Sequence, residues 1–211
     1  QVPRPWFRTE LRVVDLASGN DRLVATFTAG WEVRPRALTP HPDGRRVVFL
    51  GPPDQVGGDR AEHNVYHQQV WELDLGSGEM RRVTRGQRYA YLAGRGLPAW
   101  LDGGRRLLLP ASAGGREVLV ALAAEGSSWR AEALPTAGVT GNHWAVAPDG
   151  THVAYAAEGP VTPATLWLQP VGGGPRKLES PDRRLPERHV IARPQDASFT
   201  GPGGETIEAW W

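Results

Sequence analysis

The chain contains no cysteine, so it can hold no disulfide framework, no thiolate metal site and no cysteine nucleophile. Charge of one sign is also missing: 24 basic side chains face 23 acidic ones, leaving a formal charge of +1. No basic stripe accumulates the field that a phosphate backbone requires, which argues against nucleic acid as a partner. Lys177 is the only lysine and the other bases are arginines, a bias from which no binding site is read. The longest apolar run, Val118 to Ala124, is far too short to span a bilayer. Nothing at the start, Gln1-Val2-Pro3-Arg4-Pro5, combines a basic region with an apolar stretch, so a membrane partner is not expected and a cytoplasmic location is.

Turn formers, in contrast, are plentiful: 26 Gly and 19 Pro in 211 residues, beside a hydrophobic fraction of 40% that is too high for a disordered chain. Many short strands joined by tight turns fit this composition. Self-similarity supplies the architecture. Pro42-Asp43-Gly44-Arg45-Arg46-Val47-Val48-Phe49 returns as Leu101-Asp102-Gly103-Gly104-Arg105-Arg106-Leu107-Leu108 and again as Pro148-Asp149-Gly150-Thr151-His152-Val153-Ala154-Tyr155. Each copy is a turn leading into an apolar strand, with Asp bonding back to its own backbone and Gly taking positive φ. Asp43, Gly44, Asp102, Gly103, Asp149 and Gly150 are therefore expected to build turns. Standing in different repeats, the three carboxylates are expected to lie apart rather than form a cluster.

A second strand keeps step, centred on Trp71, Val120 and Trp167, which follow the turn Asp by 28, 18 and 18 residues. The first copy thus holds an insertion of about ten residues between Gly51 and Tyr66. Asp15-Leu16-Ala17-Ser18-Gly19 matches Asp74-Leu75-Gly76-Ser77-Gly78, so the chain enters partway through a unit. Turn spacings of 59 and 47 residues approach the period of propeller blades. The fold expected is all-β: a partial β-propeller of about three four-stranded blades plus half a blade. The half blade covers 1–29, the blades about 30–84, 95–135 and 138–180, and residues 191–211 follow the propeller segment 1–190. Glu117 to Glu125 has helical propensity, yet its slot in the repeat predicts a strand. Trp71, Trp144 and Trp167, with Trp31 and Trp100, are expected in the core between blades.

The motif Trp144-Ala145-Val146-Ala147-Pro148-Asp149-Gly150-Thr151-His152-Val153-Ala154-Tyr155, followed by Leu166-Trp167, resembles the blade repeat of TolB-like propellers and of the propeller domains of prolyl-oligopeptidase-family serine peptidases. The tail from Pro194 to Trp211, with Phe199 and Gly203-Gly204 before Ile207-Glu208-Ala209-Trp210-Trp211, is similar to the segment where that family's propeller passes into its α/β-hydrolase domain. The family has Asp-Gly where Gly203-Gly204 stands. The resemblance, closest to acylaminoacyl-peptidase and dipeptidyl-aminopeptidase relatives, implies that 191–211 are a linker and the first strand of a hydrolase domain outside the chain. It further implies that the propeller caps and gates the active site of a serine exopeptidase or oligopeptidase acting on short peptides. The parent would be a hydrolase, its partners a peptide substrate and its own C-terminal hydrolase domain, with self-association left open. The alternative is a TolB-like propeller that binds a protein and has no catalytic domain, and a third option is an enzyme with its site in the propeller channel.

No Gly-x-Ser-x-Gly elbow occurs, and Pro110-Ala111-Ser112-Ala113-Gly114 lacks the first glycine, so no catalytic residue is assigned and the segment alone is expected to be inactive. Two stretches are candidates for facing a substrate. Arg85-Gly86-Gln87-Arg88-Tyr89-Ala90-Tyr91-Leu92-Ala93-Gly94-Arg95 offers Arg85, Arg88 and Arg95 to clamp a carboxylate and Tyr89 and Tyr91 to bind peptide backbone. The insertion offers Glu62 and His63. His63 and His67 are four apart, but with no helix signal and no third ligand no metal is assigned. Gly172-Gly173-Gly174-Pro175-Arg176-Lys177 joins two strands and has no Ser or Thr after the lysine, so it is no phosphate loop, and no cofactor is expected.

Overall fold

A computed structural model of the protein describes residues 9–27, 38–51, 68–84, 89–92, 96–113, 116–126, 128–159, 161–180, 189 and 192–210. Among the described residues the strands form five antiparallel sheets, with one short 3-10 turn at Asp102–Gly104. β1 (Thr9–Val14) and β2 (Asp21–Phe27) form a hairpin. β3 (Thr39–Pro40), β4 (Arg46–Gly51), β5 (Gln69–Asp74) and β6 (Met80–Arg82) form a four-stranded meander, each strand pairing with the next. In the next sheet the first position is split: β7 (Ala90–Tyr91) and β8 (Ala99–Leu101) both pair with β9 (Arg106–Ala113), followed by β10 (Arg116–Glu125) and β11 (Ser128–Ala133). The third meander is β12 (Val139–Val146), β13 (His152–Gly159), β14 (Thr162–Pro170) and β15 (Arg176–Glu179). A last hairpin joins β16 (Asp196–Thr200) to β17 (Thr206–Trp210). This is a partial β-propeller with three four-stranded blades.

The leading hairpin is the outer half of a blade. Its turn and that between β5 and β6 are built identically: Asp15 Oδ1 accepts the backbone N–H of Ala17 and Ser18, and Asp74 Oδ1 those of Gly76 and Ser77. Gly19 and Gly78 follow at φ +72° and +76°. β10 confirms that position in the repeat overrides local propensity: Arg116–Glu125 is strand throughout, paired on both sides.

Alternation along each strand divides its side chains between two interfaces. In the second blade Leu107, Leu109, Ala111, Val120 and Leu122 join Val48, Leu50 and Val70 of the first in one apolar cluster. Leu101, Leu108, Leu119 and Ala121 point the other way and pack on Val153, Tyr155 and Ala157 of the third. Phe49, Trp71 and Leu73 of the first blade face Ala25 of the leading hairpin. The tryptophans follow the repeat: Trp144 and Trp167 pack on the second cluster and Trp100 on the first, while Trp31 lies outside the described residues. A blade with both faces apolar has no water-facing side, so neighbouring blades must cover it.

Candidate functional site

The repeat turns lie at one end of the blades. β4 begins beside Asp43 and ends at Gly51, and β5 returns from Gln69 to the Asp74 turn. The connections 52–67 and 85–88 therefore leave from the opposite end, at Gly51 and Thr84. Arg85, Arg88, Arg95, Glu62, His63 and His67 lie outside the described residues.

Tyr89 and Tyr91 are described, and they correct the expectation of a substrate-facing loop. Both belong to the cluster between the first two blades, at 6% and 0% exposure, and burial pushes the Tyr91 hydroxyl above its ordinary pKa. Ala90 and Tyr91 form β7, so the chain is drawn back into the sheet where an open loop was expected, because the tyrosine rings fill the interface.

In two of the three Asp–Gly turns the aspartate bonds back to its own backbone. Asp43 Oδ1 accepts the N–H of Arg45 at 2.8 Å, and Asp149 Oδ1 that of Thr151 at 2.9 Å, with Gly44 and Gly150 both at φ +70°. The second turn lacks the proline and has an extra glycine. There Asp102, Gly103 and Gly104 all take positive φ (53°, 66° and 98°) in a short 3-10 turn, and the Asp102 carboxylate binds Arg106 instead of the turn N–H groups. Asp102 is the one non-glycine residue with positive φ among the described residues.

The turns are not isolated from one another, as their separation in sequence suggested. A Cβ on Gly104 would lie 2.8 Å from ring atoms of His41 and 3.2 Å from Pro42, and one on Gly150 would lie 3.3 Å from the Asp102 nitrogen. The second and third turns thus each sit directly against that of the preceding blade. His41, 9% exposed, reaches across with Nε2 3.0 Å from the Gly104 carbonyl and meets the Trp100 ring edge-on at 4.4 Å. Asp43 N–H lies 3.1 Å from His41 Nδ1, the Asp43 carboxylate 2.9 Å from the same nitrogen, and Arg46 Nη2 3.1 Å from Nε2. Trp100 Nε1 donates to the Pro40 carbonyl.

Beside this row lies a charged network that the repeat pattern did not disclose. Glu72, 5% exposed in the middle of β5, receives Arg46 from β4 at 3.1 Å and Arg81 from β6 at 2.7 Å. Arg46 also binds Asp43 at 2.7 Å. The sequence signal was present: Trp71 and Leu73 face one buried side, which forces Glu72 toward the other.

The turn carboxylates of Asp102 and Asp149 are expected to make stability acid-sensitive. The Asp102 carboxyl is held below its ordinary pKa by the Arg106 side chain, against a smaller opposing effect of burial. Asp149 is held down chiefly by the Thr151 N–H and hydroxyl. A folded-state pKa below the unfolded value gives stability that is complete above the unfolded pKa and lost as pH falls through the folded one. We expect the urea midpoint to fall as pH drops below about 4, and Asp102→Asn to flatten that dependence. A midpoint unchanged down to acid pH would show that these bonds add nothing.

Among the described residues no group of three or more His, Asp or Glu could hold a metal, and no helix is long and apolar enough to cross a membrane.

No family model and no curated protein matches the sequence. Solved structures do match it. A Mycobacterium tuberculosis puromycin-hydrolyzing peptidase matches with TM-score 0.64 and 19% identity over 98% of this chain and 30% of its own. Porphyromonas gingivalis dipeptidyl peptidase 4 gives 0.66 and 17% over 95% of this chain and 27% of its own. TolB from Acinetobacter baumannii gives 0.55 and 16% over 79% and 37% respectively. The likeness is one of fold. The chain spans 27–37% of the length of these three structures. It shares its architecture with prolyl-oligopeptidase-family peptidases and with TolB.

Proposed function

We propose that the chain is the propeller segment of a serine peptidase of the prolyl-oligopeptidase family, and that it caps and gates an active site carried by a hydrolase domain outside this sequence. The observation that carries this reading is coverage. The peptidase structures are matched over 95% and 98% of the chain, against 79% for TolB from Acinetobacter baumannii. The hairpin β16–β17 also supports it. It stands apart from the blades, tied to β10 by Arg116 to Asp196 at 2.8 Å, and leaves Phe199 and Trp210 each 56% exposed. In this reading residues 191–211 are the passage into the hydrolase domain.

The propeller selects and the missing domain cleaves. Peptides reach the acyl-transfer site past the blade ends opposite the Asp–Gly turns, where Arg85, Arg88, Arg95, Glu62 and His63 are proposed to meet them. The nucleophile, acid and histidine lie in the hydrolase domain, so the segment alone performs no chemistry.

Fluorophosphonate labelling of the full-length parent beside this 211-residue segment, read by intact mass, tests the assignment. One adduct on the parent and none on the segment is the expected result. A folded parent that takes no label overturns it. The TolB likeness would then favour a propeller whose work is to hold a protein partner.

A further inference from the structure

At the end of the blades that carries the Asp–Gly turns, a cavity of about 580 Å³ opens between the first two blades. This is the end away from the proposed peptide entry, and the inference does not depend on the peptidase reading. It is lined by Arg46 and His41 of the first blade and by Arg105, Arg106, Ala123, Ala124 and Trp129 of the second, so that cationic and apolar groups stand side by side.

The three guanidinium groups are not equivalent. Arg46 is committed to Asp43 and Glu72, and Arg106 to Asp102. Arg105 donates Nε to the Asp102 carbonyl at 3.2 Å, and among the described residues no carboxylate lies within ion-pair distance of it. That bond to the turn backbone holds the base of the group, and Arg105 lines the cavity. Arg105 is thus the guanidinium of this lining that stands in no ion pair among the described residues, beside the apolar Ala123, Ala124 and Trp129. A planar guanidinium fork matches a carboxylate with two parallel hydrogen bonds. The Asp102 carboxylate in the same lining repels a dianion such as phosphate more strongly than a monoanion, which a single guanidinium can balance. The apolar part of the lining requires an apolar group within a bond or two of that carboxylate. An Asp or Glu side chain does not provide one; the α-carboxylate of an apolar last residue does.

We propose that this cavity binds a peptide chain end, with the terminal carboxylate on Arg105 and the apolar side chain against Trp129. The ammonium of a free amino acid would sit near the guanidinium groups of the same lining, so a chain end is favoured over the free amino acid.

The test is titration of the full chain with N-acetyl-L-leucine, followed by calorimetry and by tryptophan fluorescence. Saturable binding is expected, with N-acetyl-L-leucine amide and free leucine each weaker by about tenfold or more. Arg105→Gln is expected to weaken the acid about tenfold and leave the amide unaffected. Arg193→Gln, an exposed change outside the cavity, is expected to bind like the parent chain. Arg105 is exposed and stands in no ion pair among the described residues, so the variant is expected to keep the parent circular dichroism. Absence of saturable binding, equal affinity for acid and amide, tighter binding of free leucine, or an Arg105→Gln variant that binds as the parent does would each overturn the assignment.

Discussion

Leu108→Ala is expected to lower the unfolding free energy by about 2–5 kcal/mol, read as a shift of the urea midpoint. Leu108 is 0% exposed and sits in the interface between the second and third blades, against a cluster that includes Val153 and Tyr155. Truncation removes its transfer free energy and leaves a cavity that two paired sheets cannot close without breaking ladder bonds. Leu23→Ala supplies the contrast, since Leu23 is 42% exposed on the leading hairpin and the change is expected to cost no more than about 0.5 kcal/mol. Equal costs at the two positions would mean that the blade interface contributes no more to stability than the surface does.

Gly104→Ala is the second large effect, and it acts through backbone and contact together. At φ +98° any side chain is strained, at a cost of about 1–3 kcal/mol. The added Cβ would also meet the His41 ring at 2.8 Å. His41 has little room to retreat, because it is buried and held edge-on to Trp100. We expect a loss of about 2–4 kcal/mol in the same denaturation measurement. Gly103→Ala provides the comparison: that glycine has a similar positive φ and open space around it, and should show the backbone cost alone. If the two variants cost the same, the seat of one turn against the next is not a packing contact.

The fold was legible because the repeat speaks three times. Pro42-Asp43-Gly44 and its relatives mark the entry to the second strand of each blade, and their register fixed the assignment of β10 against its helical propensity. The half blade was legible from Asp15 and Asp74 alone, because an aspartate that caps its own turn does so identically in both. Tyr89 and Tyr91 were misread because two tyrosines among arginines look the same in sequence whether the rings face solvent or a neighbouring sheet. What decides is the pairing of Ala90 and Tyr91 with β9, a long-range contact that no local pattern encodes. Glu72 was passed over for a related reason. An alternating strand usually presents its polar residues to water, and only the knowledge that both faces of this blade are covered turns Glu72 into a buried anion needing two arginines.

The alternation of Leu107 and Leu108 toward opposite neighbours has a kinetic consequence. Opening a backbone amide of β9 requires two interfaces to part, whereas the third blade is released from its neighbour by the loss of one. Its far side already leaves Leu166 and Leu178 at 43% and 37% exposure. Protection against solvent exchange is therefore graded along the chain, highest in the middle blade and falling toward both ends, as in any one-dimensional stack. Transient openings begin at the ends of the row, and the middle blade is the last to let water in.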